Sequence, residues 1–471
     1  MPTTATAPSS LNAAFNHLKD GYNANPYPDL RTRRRHLKDL RKNLIKRQDD
    51  FARAVNLDFG NRNRLEVLFS EVFVSVHALK NAESNVANWM ERRPVEVDWL
   101  LQFASACIMP QPVGVVGIIS PWNYPIFLTI GPLAGALAAG NRVLLKPSEF
   151  TPATSALFAE LVAETFSSDH VSVVQGGAED GAAFSRLPFD HLLFTGSTAV
   201  GRKVMQAAAE NLTPVTLELG GKSPALIAPD ANLKRAADDI VYGKFLNAGQ
   251  TCIAPDYVLI RRSDRDRFVD LLRAAVDKRY PQTAANPQYT SIINEHQFAR
   301  LAAYLREAEA QGATIVPLSA SETDVQARRF APVAILDPPD SLALMREEIF
   351  GPILPIRSYD SIDQAIAYIN QNPRPLALYL FSGNNRIIDQ VLERTVAGGV
   401  CVNDTLVHIV AEELPFGGSG FSGIGQYHGK AGFDTFSKLK PVFHRHGIGI
   451  GAMLRPPYGK IHEWMLKLLI R

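Results

Sequence analysis

The sequence predicts an α/β fold built on a Rossmann-like doubly wound parallel sheet, joined to a second α/β unit. Three observations carry this expectation. From about residue 112, short apolar strand runs alternate with helical stretches. These runs end on turns rich in glycine or polar residues. A second αβ series extends from Leu233 to about Val402, and the Gly/Pro-rich stretch Pro415 to Gly425 ends the regular pattern. Strands spaced in this way mark βαβ units, whose ligands bind beyond the carboxyl ends of the strands.

The elements follow in order. Residues 31–47 hold nine Lys or Arg and one acid, Asp39, while Leu37, Leu40, Leu44 and Ile45 recur at helical spacing. That reads as a solvated helix in preference to a phosphate-binding face, since no aromatic residue is interleaved. Val113–Ser120 is a strand and Ile126–Ala139 a small-residue helix. Arg142–Lys146, Val171–Val174, His191–Thr195 and Val215–Leu219 are further strands, with helices over about 154–166, 179–186 and 198–210 between them. In the second series, Tyr257–Ile260 and Ala377–Phe381 read as apolar strands. Near the end, Ile461, Trp464, Met465, Leu468 and Leu469 fall on one helical face, with Lys460, Lys467 and Arg471 on others. Docking of this amphipathic tail on its own protein or a partner subunit is favoured over peripheral membrane contact.

Composition narrows the function. At about 150 residues per domain, a chain of 471 residues reads as about three units. A net charge of +2 excludes a global pull toward nucleic acid. Three cysteines, at 107, 252 and 401, exclude a disulfide scaffold and a Cys-pair zinc site, so no metal is expected. The most apolar run, Ile126–Ala139, is interrupted by Thr129, Gly131, Pro132 and Gly135 and is too short to span a bilayer. Residues 1–10 lack an apolar signal core. The expectation is a large cytoplasmic enzyme.

Two familiar motifs fail. Residues 418–423 satisfy G-x-G-x-x-G, but they follow Leu414-Pro415-Phe416-Gly417 and not an apolar strand. Gly220-Gly221-Lys222-Ser223 resembles the end of a phosphate loop, yet position 216 is Thr where a Gly is needed. The strand ends are more informative. Pro121-Trp122-Asn123-Tyr124-Pro125 is a rigid turn presenting one amide, which a turn Asn also explains. Lys146-Pro147-Ser148-Glu149 sets a cation and an acid beside a helix start, which capping also explains. Thr195-Gly196-Ser197 allows close approach of a diphosphate to a helix N-terminus, or is an ordinary glycine turn. Cys107 and Cys401 lie in apolar runs and read as small buried hydrophobes, whereas Cys252 follows the polar turn Gly249-Gln250-Thr251. Cys252 is thus a candidate nucleophile, with Glu218 a candidate base.

Six motifs occur in order: Pro121–Pro125, Lys146–Glu149, Phe194–Ser197, Glu218–Pro224, Gly249–Cys252 and Glu347-Glu348-Ile349-Phe350-Gly351-Pro352. Together they resemble the aldehyde dehydrogenase superfamily over about residues 15–445. Tyr427-His428-Gly429 and Gly432–Ser437 resemble its class 3 branch, and bacterial coniferyl aldehyde dehydrogenases in particular. The resemblance implies an NAD(P)-binding domain over 1–93 and 112–219 and a catalytic domain over 220–400. It implies a small β oligomerisation element over 94–111 and 401–445 that pairs a homodimer, and leaves 446–471 as a tail. It implies Cys252 as nucleophile, Glu218 as base and Asn123 as oxyanion donor. Lys146 and Glu149 would hold the adenine-side ribose, Gly196 and Ser197 the diphosphate, and Glu348 and Phe350 the nicotinamide ribose.

The expected reaction is oxidation of a hydrophobic aldehyde, aromatic or aliphatic, to its acid. Tyr124, Leu128, His408 and Phe416 are the expected substrate pocket. Glu149 would accept from a ribose 2′-hydroxyl and repel a 2′-phosphate, which favours NAD, with NADP as the alternative. Transfer of the acyl group to coenzyme A, and a non-catalytic membrane-associated role, are the competing functions.

Overall fold

The computed structural model describes residues 8–101, 103–283, 285–447 and 455–470. The expectation about the first residues, apart from 8–10, lies outside that range, as do 448–454 and Arg471 of the tail.

The sheet order explains where a cleft must form. Five parallel strands run Val171–Val173, Arg142–Lys146, Val115–Ile119, His191–Thr195 and Val215–Glu218, and Gly423–Ile424 joins the last antiparallel. Numbered by sequence, the parallel strands stand 3-2-1-4-5, so the winding direction reverses between Val115–Ile119 and His191–Thr195. At such a reversal the two following turns diverge and leave a crevice. These are the turns carrying Asn123 and Gly196.

The second sheet has seven strands in the order Thr314–Pro317, Val333–Leu336, Ile353–Tyr359, Tyr257–Arg261, Pro224–Ile227, Ala377–Phe381 and Gly399–Val402, all parallel but the first. Its central strands are covered on both faces: every residue of Pro224–Ile227 and Ala377–Phe381 is buried. Arg93–Val95, Ala104–Pro112 and Ser437–Arg445 form a third, antiparallel sheet. One of its faces is open, which explains why Cys107 there is only partly buried, while Cys401 in the second sheet is buried as expected.

The N-terminal helices brace the first sheet. In Leu30–Lys46, capped by Asp29, Leu37, Leu40 and Leu44 turn inward. Arg33 turns inward too, donating to the carbonyls of Pro28, Ala138 and Ala139 at 2.9, 3.0 and 2.7 Å. It thereby satisfies the open carboxyl end of the helix Phe127–Ala139. That helix is buried on nearly all sides, as its small residues permit.

The C-terminal helix Lys460–Leu469 forms, but none of its residues is buried. The intramolecular docking expected from its apolar face is therefore not made among the described residues. None of the helices of the described residues is long and apolar enough to cross a membrane.

Candidate active site

The Asn123 turn is held from below. A π-helical turn, Leu68–Phe73, turns Glu71 inward. Such turns are rare and cluster at functional sites. Glu71 accepts from the Ile126 and Phe127 N–H groups at 2.6 and 3.4 Å. Arg62, fully buried, donates to Glu71 at 2.9 Å, Glu66 at 3.0 Å and the Asn123 carbonyl at 2.8 Å. Its guanidinium also lies 4.7 Å from the Tyr124 ring centroid. Burial pushes the Glu71 carboxyl upward against the pull of Arg62.

The turn before Cys252 is strained. Asn247 and Ala248 both have φ 51° and Gly249 has φ 79°. A left-handed conformation costs a non-glycine residue about 1–2 kcal/mol, so neighbouring bonds must impose it. The Asn247 amide donates to the carbonyls of Asn123 and Gln250 at 2.9 and 3.2 Å. The Gln250 amide donates to Asn247 and Ser291 carbonyls at 3.0 and 3.2 Å, and its oxygen accepts from Ile293 N–H at 2.9 Å. Thr251 shares a 2.7 Å hydrogen bond with the Tyr124 hydroxyl.

Cys252 thus stands on a rigid turn and is partly exposed. Backbone N–H groups of Cys252 and Ile253 point at its sulfur. Burial, reinforced by Glu348 and Glu218, nevertheless pushes the thiol up to about 12. Burial also raises Glu218 well above the ordinary carboxylate range, and neither of its buried oxygens has a partner. The Asn123 amide donates to the Gln250 carbonyl at 3.1 Å.

Two spaces meet at Cys252. A larger and more polar cleft runs along the switch point, past Asn123, Gly196, Ser197, Glu218, Glu348 and Phe350. An apolar cavity opens from the other side, lined by Phe69, Tyr124, Phe127, Leu128, Tyr242 and Val407 among others. Cys252 and Leu128 line both.

The cleft suits a dinucleotide. Ser197 caps the helix Thr198–Ala209, whose N-terminus favours an anionic diphosphate. Half-buried Glu348 keeps one buried oxygen unpartnered, and desolvation pushes its carboxyl up to about 8. A Cβ at Gly220 would lie 1.9 Å from that carboxylate, so only glycine permits the approach. Lys146 and Glu149 stand outside the lining at the end of the neighbouring strand, 3.9 Å apart, with Lys146 buried and lowered by burial.

Of the expected pocket residues, Tyr124 and Leu128 line the apolar cavity. His408 and Phe416 lie behind it, with ring centroids 6.4 Å apart. In the 3-10 turn Val407–Val410, Val407, Ile409 and Val410 line the cavity and His408 does not. Sequence reading gave no role to Arg62, Glu71, Phe69, Asn247 or the Gln250 side chain. Arg62, Glu71, Asn247 and Gln250 each reach a partner at least 41 residues away, and Phe69 is marked only by the cavity it lines.

Sheet order, cleft and cysteine together define the class: an α/β oxidoreductase acting on aldehydes. More particularly, the chain belongs to the aldehyde dehydrogenase family, whose model matches residues 3–442. It is 49% identical over 98% of its length to a probable coniferyl aldehyde dehydrogenase of Pseudomonas aeruginosa, covering 97% of that protein. The substrate-bound state of Staphylococcus aureus AldH superposes with a TM-score of 0.92 at 38% identity, covering 98% of this chain and 99% of that one. An NAD-dependent aldehyde dehydrogenase from Sinorhizobium meliloti gives 0.87 at 28% identity, with 97% and 89% covered.

Proposed function

We propose that the protein oxidises hydrophobic aldehydes, aromatic or longer-chain aliphatic, to carboxylic acids with NAD(P), through a thioester on Cys252. One observation carries the reading: Cys252 is shared by a polar cleft shaped for a dinucleotide and a cavity walled by apolar side chains. A coniferyl-type aldehyde, the class named for the Pseudomonas aeruginosa relative, suits that cavity.

In this reading the Cys252 thiol gives up its proton to solvent water in the cleft as the sulfur adds to the carbonyl carbon, forming a thiohemiacetal. The Asn123 amide turns from the Gln250 carbonyl to the developing oxyanion, joined by the Cys252 N–H. One such donor is worth about 2.7–4 kcal/mol. Bound nicotinamide supplies the hydride acceptor as the thioester forms. Glu218 then takes a proton from water, the resulting hydroxide attacks the thioester, and the acid leaves with the thiol restored. Its raised proton affinity strengthens Glu218 as a base once it is deprotonated. A water-activating carboxylate has no task in acyl transfer to coenzyme A.

Gly196 and Ser197 would hold the diphosphate, Glu348 and Phe350 the nicotinamide ribose, and Lys146 with Glu149 the adenine-side ribose. Glu149 favours NAD over NADP by repelling a 2′-phosphate. The edge strand Ser437–Arg445, with Leu439 and Phe443 exposed, is the surface we assign to homodimer pairing. Three free cysteines suit a cytoplasmic location.

Steady-state kinetics over benzaldehyde, coniferyl aldehyde and an aliphatic series, with both cofactors, test the reading. Efficiency should rise with apolar size and be higher with NAD. Aldehyde oxidation that survives Cys252→Ala would overturn it.

A further inference from the structure

One buried ion pair, unused by the chemistry above, grips the chain on both sides of Glu348. Lys222 and Asp256 are almost wholly buried against each other, their charged atoms in direct contact. Lys222 also donates to the Leu344 and Glu347 carbonyls at 2.7 and 2.9 Å. Asp256 accepts from the Ile349 N–H at 3.0 Å. Glu348 is thus flanked by a carbonyl held by the cation and an N–H held by the anion. The same segment is secured from its other side by Arg300, which donates to the Glu348 and Ile349 carbonyls at 3.4 and 2.9 Å.

The pair belongs to two strand ends. Lys222 follows the Gly220-Gly221 bend after Val215–Glu218, and Asp256 immediately precedes Tyr257–Arg261. Asp256 N–H donates to the Ser223 carbonyl at 2.7 Å, locking these two ends together. The bend that delivers Gly220 beneath the Glu348 carboxylate is therefore tied to the segment that carries Glu348. Gly221 N–H completes the tie by donating to that carboxylate. Lys244, fully buried with an unpartnered ammonium, faces the same acids and is lowered by burial to about 8.

Isolated ion pairs of this kind add little stability, because desolvation consumes most of the attraction. Their attested use is to specify one geometry among several. We propose that Lys222 and Asp256 are positioning residues for the cofactor: together they hold Glu348 in the orientation that receives the nicotinamide-side ribose. This rests on the reading of Glu348 as a ribose ligand given above.

The test compares Lys222→Met, Asp256→Asn and the double variant Lys222→Met/Asp256→Leu, which replaces the pair by apolar side chains and leaves no lone buried charge. Glu348→Gln is assayed in parallel. Hydrolysis of p-nitrophenyl acetate without cofactor serves as a second readout, since it uses the thiol but no hydride acceptor. Loss of a residue that orients a ligand from behind costs about 10–100-fold in metal sites, and a KM for NAD raised on that scale is expected here. The KM for aldehyde and the ester hydrolysis should stay within about threefold of the parent. Lys222→Arg should recover part of the NAD affinity.

Unchanged cofactor kinetics in the Lys222 and double variants, with Glu348→Gln impaired, overturn the proposal alone. A Glu348→Gln enzyme with the parent's cofactor kinetics overturns the ribose reading and the proposal with it. Ester hydrolysis falling in step with NAD-dependent turnover also overturns it, by making the pair a general support of the fold.

Discussion

The side-chain amide of Asn247 donates to the backbone carbonyl of Asn123 at 2.9 Å. It ties the strained turn before Cys252 to the turn that presents the proposed oxyanion donor. Both turns are irregular, and each holds the other.

Asn247→Ala removes that link and leaves a left-handed backbone at a residue with no local hydrogen bond to favour it. A misplacement of about 1 Å at a reacting centre costs about a hundredfold, so kcat should fall by about 10–100-fold while NAD affinity holds. Asn247→Gly separates the two causes, since glycine accepts φ 51° freely. A glycine variant with parental kcat would show that conformation alone matters and the amide does not.

Glu218→Gln should spare the first half of the reaction and block the second. Rapid mixing with aldehyde and NAD then yields one equivalent of NADH per active site, followed by a steady rate lower by about 10²–10⁴-fold. A variant that forms no NADH in the first turnover would move Glu218 from hydrolysis to activation of the thiol.

Phe69 stands at the mouth of the apolar cavity and is more than half exposed. Burying a phenyl ring contributes about 1.5–3 kcal/mol at most. Phe69→Ala should therefore lower kcat/KM for coniferyl aldehyde by about tenfold and leave propanal nearly unaffected. Equal losses for both substrates would place the effect in the π-helical turn, which also carries Glu71.

Glu348 supplies a pH test of stability. Its folded-state affinity for a proton is raised, to about 8 from 4.5. Protonated Glu348 therefore favours the fold. That contribution is complete below the ordinary carboxylate range and is lost as pH rises through about 8. Thermal scans of cofactor-free enzyme should show a Tm that falls more steeply between about pH 5 and pH 9 in the parent than in Glu348→Gln. Parallel curves would mean that the buried carboxyl is already ionised at low pH.

Much of the fold was legible because its signals are local. The strands Arg142–Lys146, His191–Thr195 and Ala377–Phe381 agree residue for residue with the apolar runs that announce them. Buried parallel strands leave little choice of side chain, and glycine or polar turns bracket them. Cys252, Glu218 and Asn123 stood out as chemistry-bearing residues at strand ends or turns. The supports beneath them did not. Arg62 and Asn123 are 61 residues apart, and Lys222 and Glu347 are 125 apart. A buried Arg or Lys reads in sequence as one more surface charge until its partner is known. The tail shows the converse: periodicity reveals the apolar face of Lys460–Leu469 but not what covers it.

The two spaces that meet at Cys252 would give the proposed reaction separate doors. In that reading oily cargo uses one and the nucleotide the other. Neither traveller then has to wait for the other to clear a shared corridor, and widening one door leaves the other's traffic undisturbed.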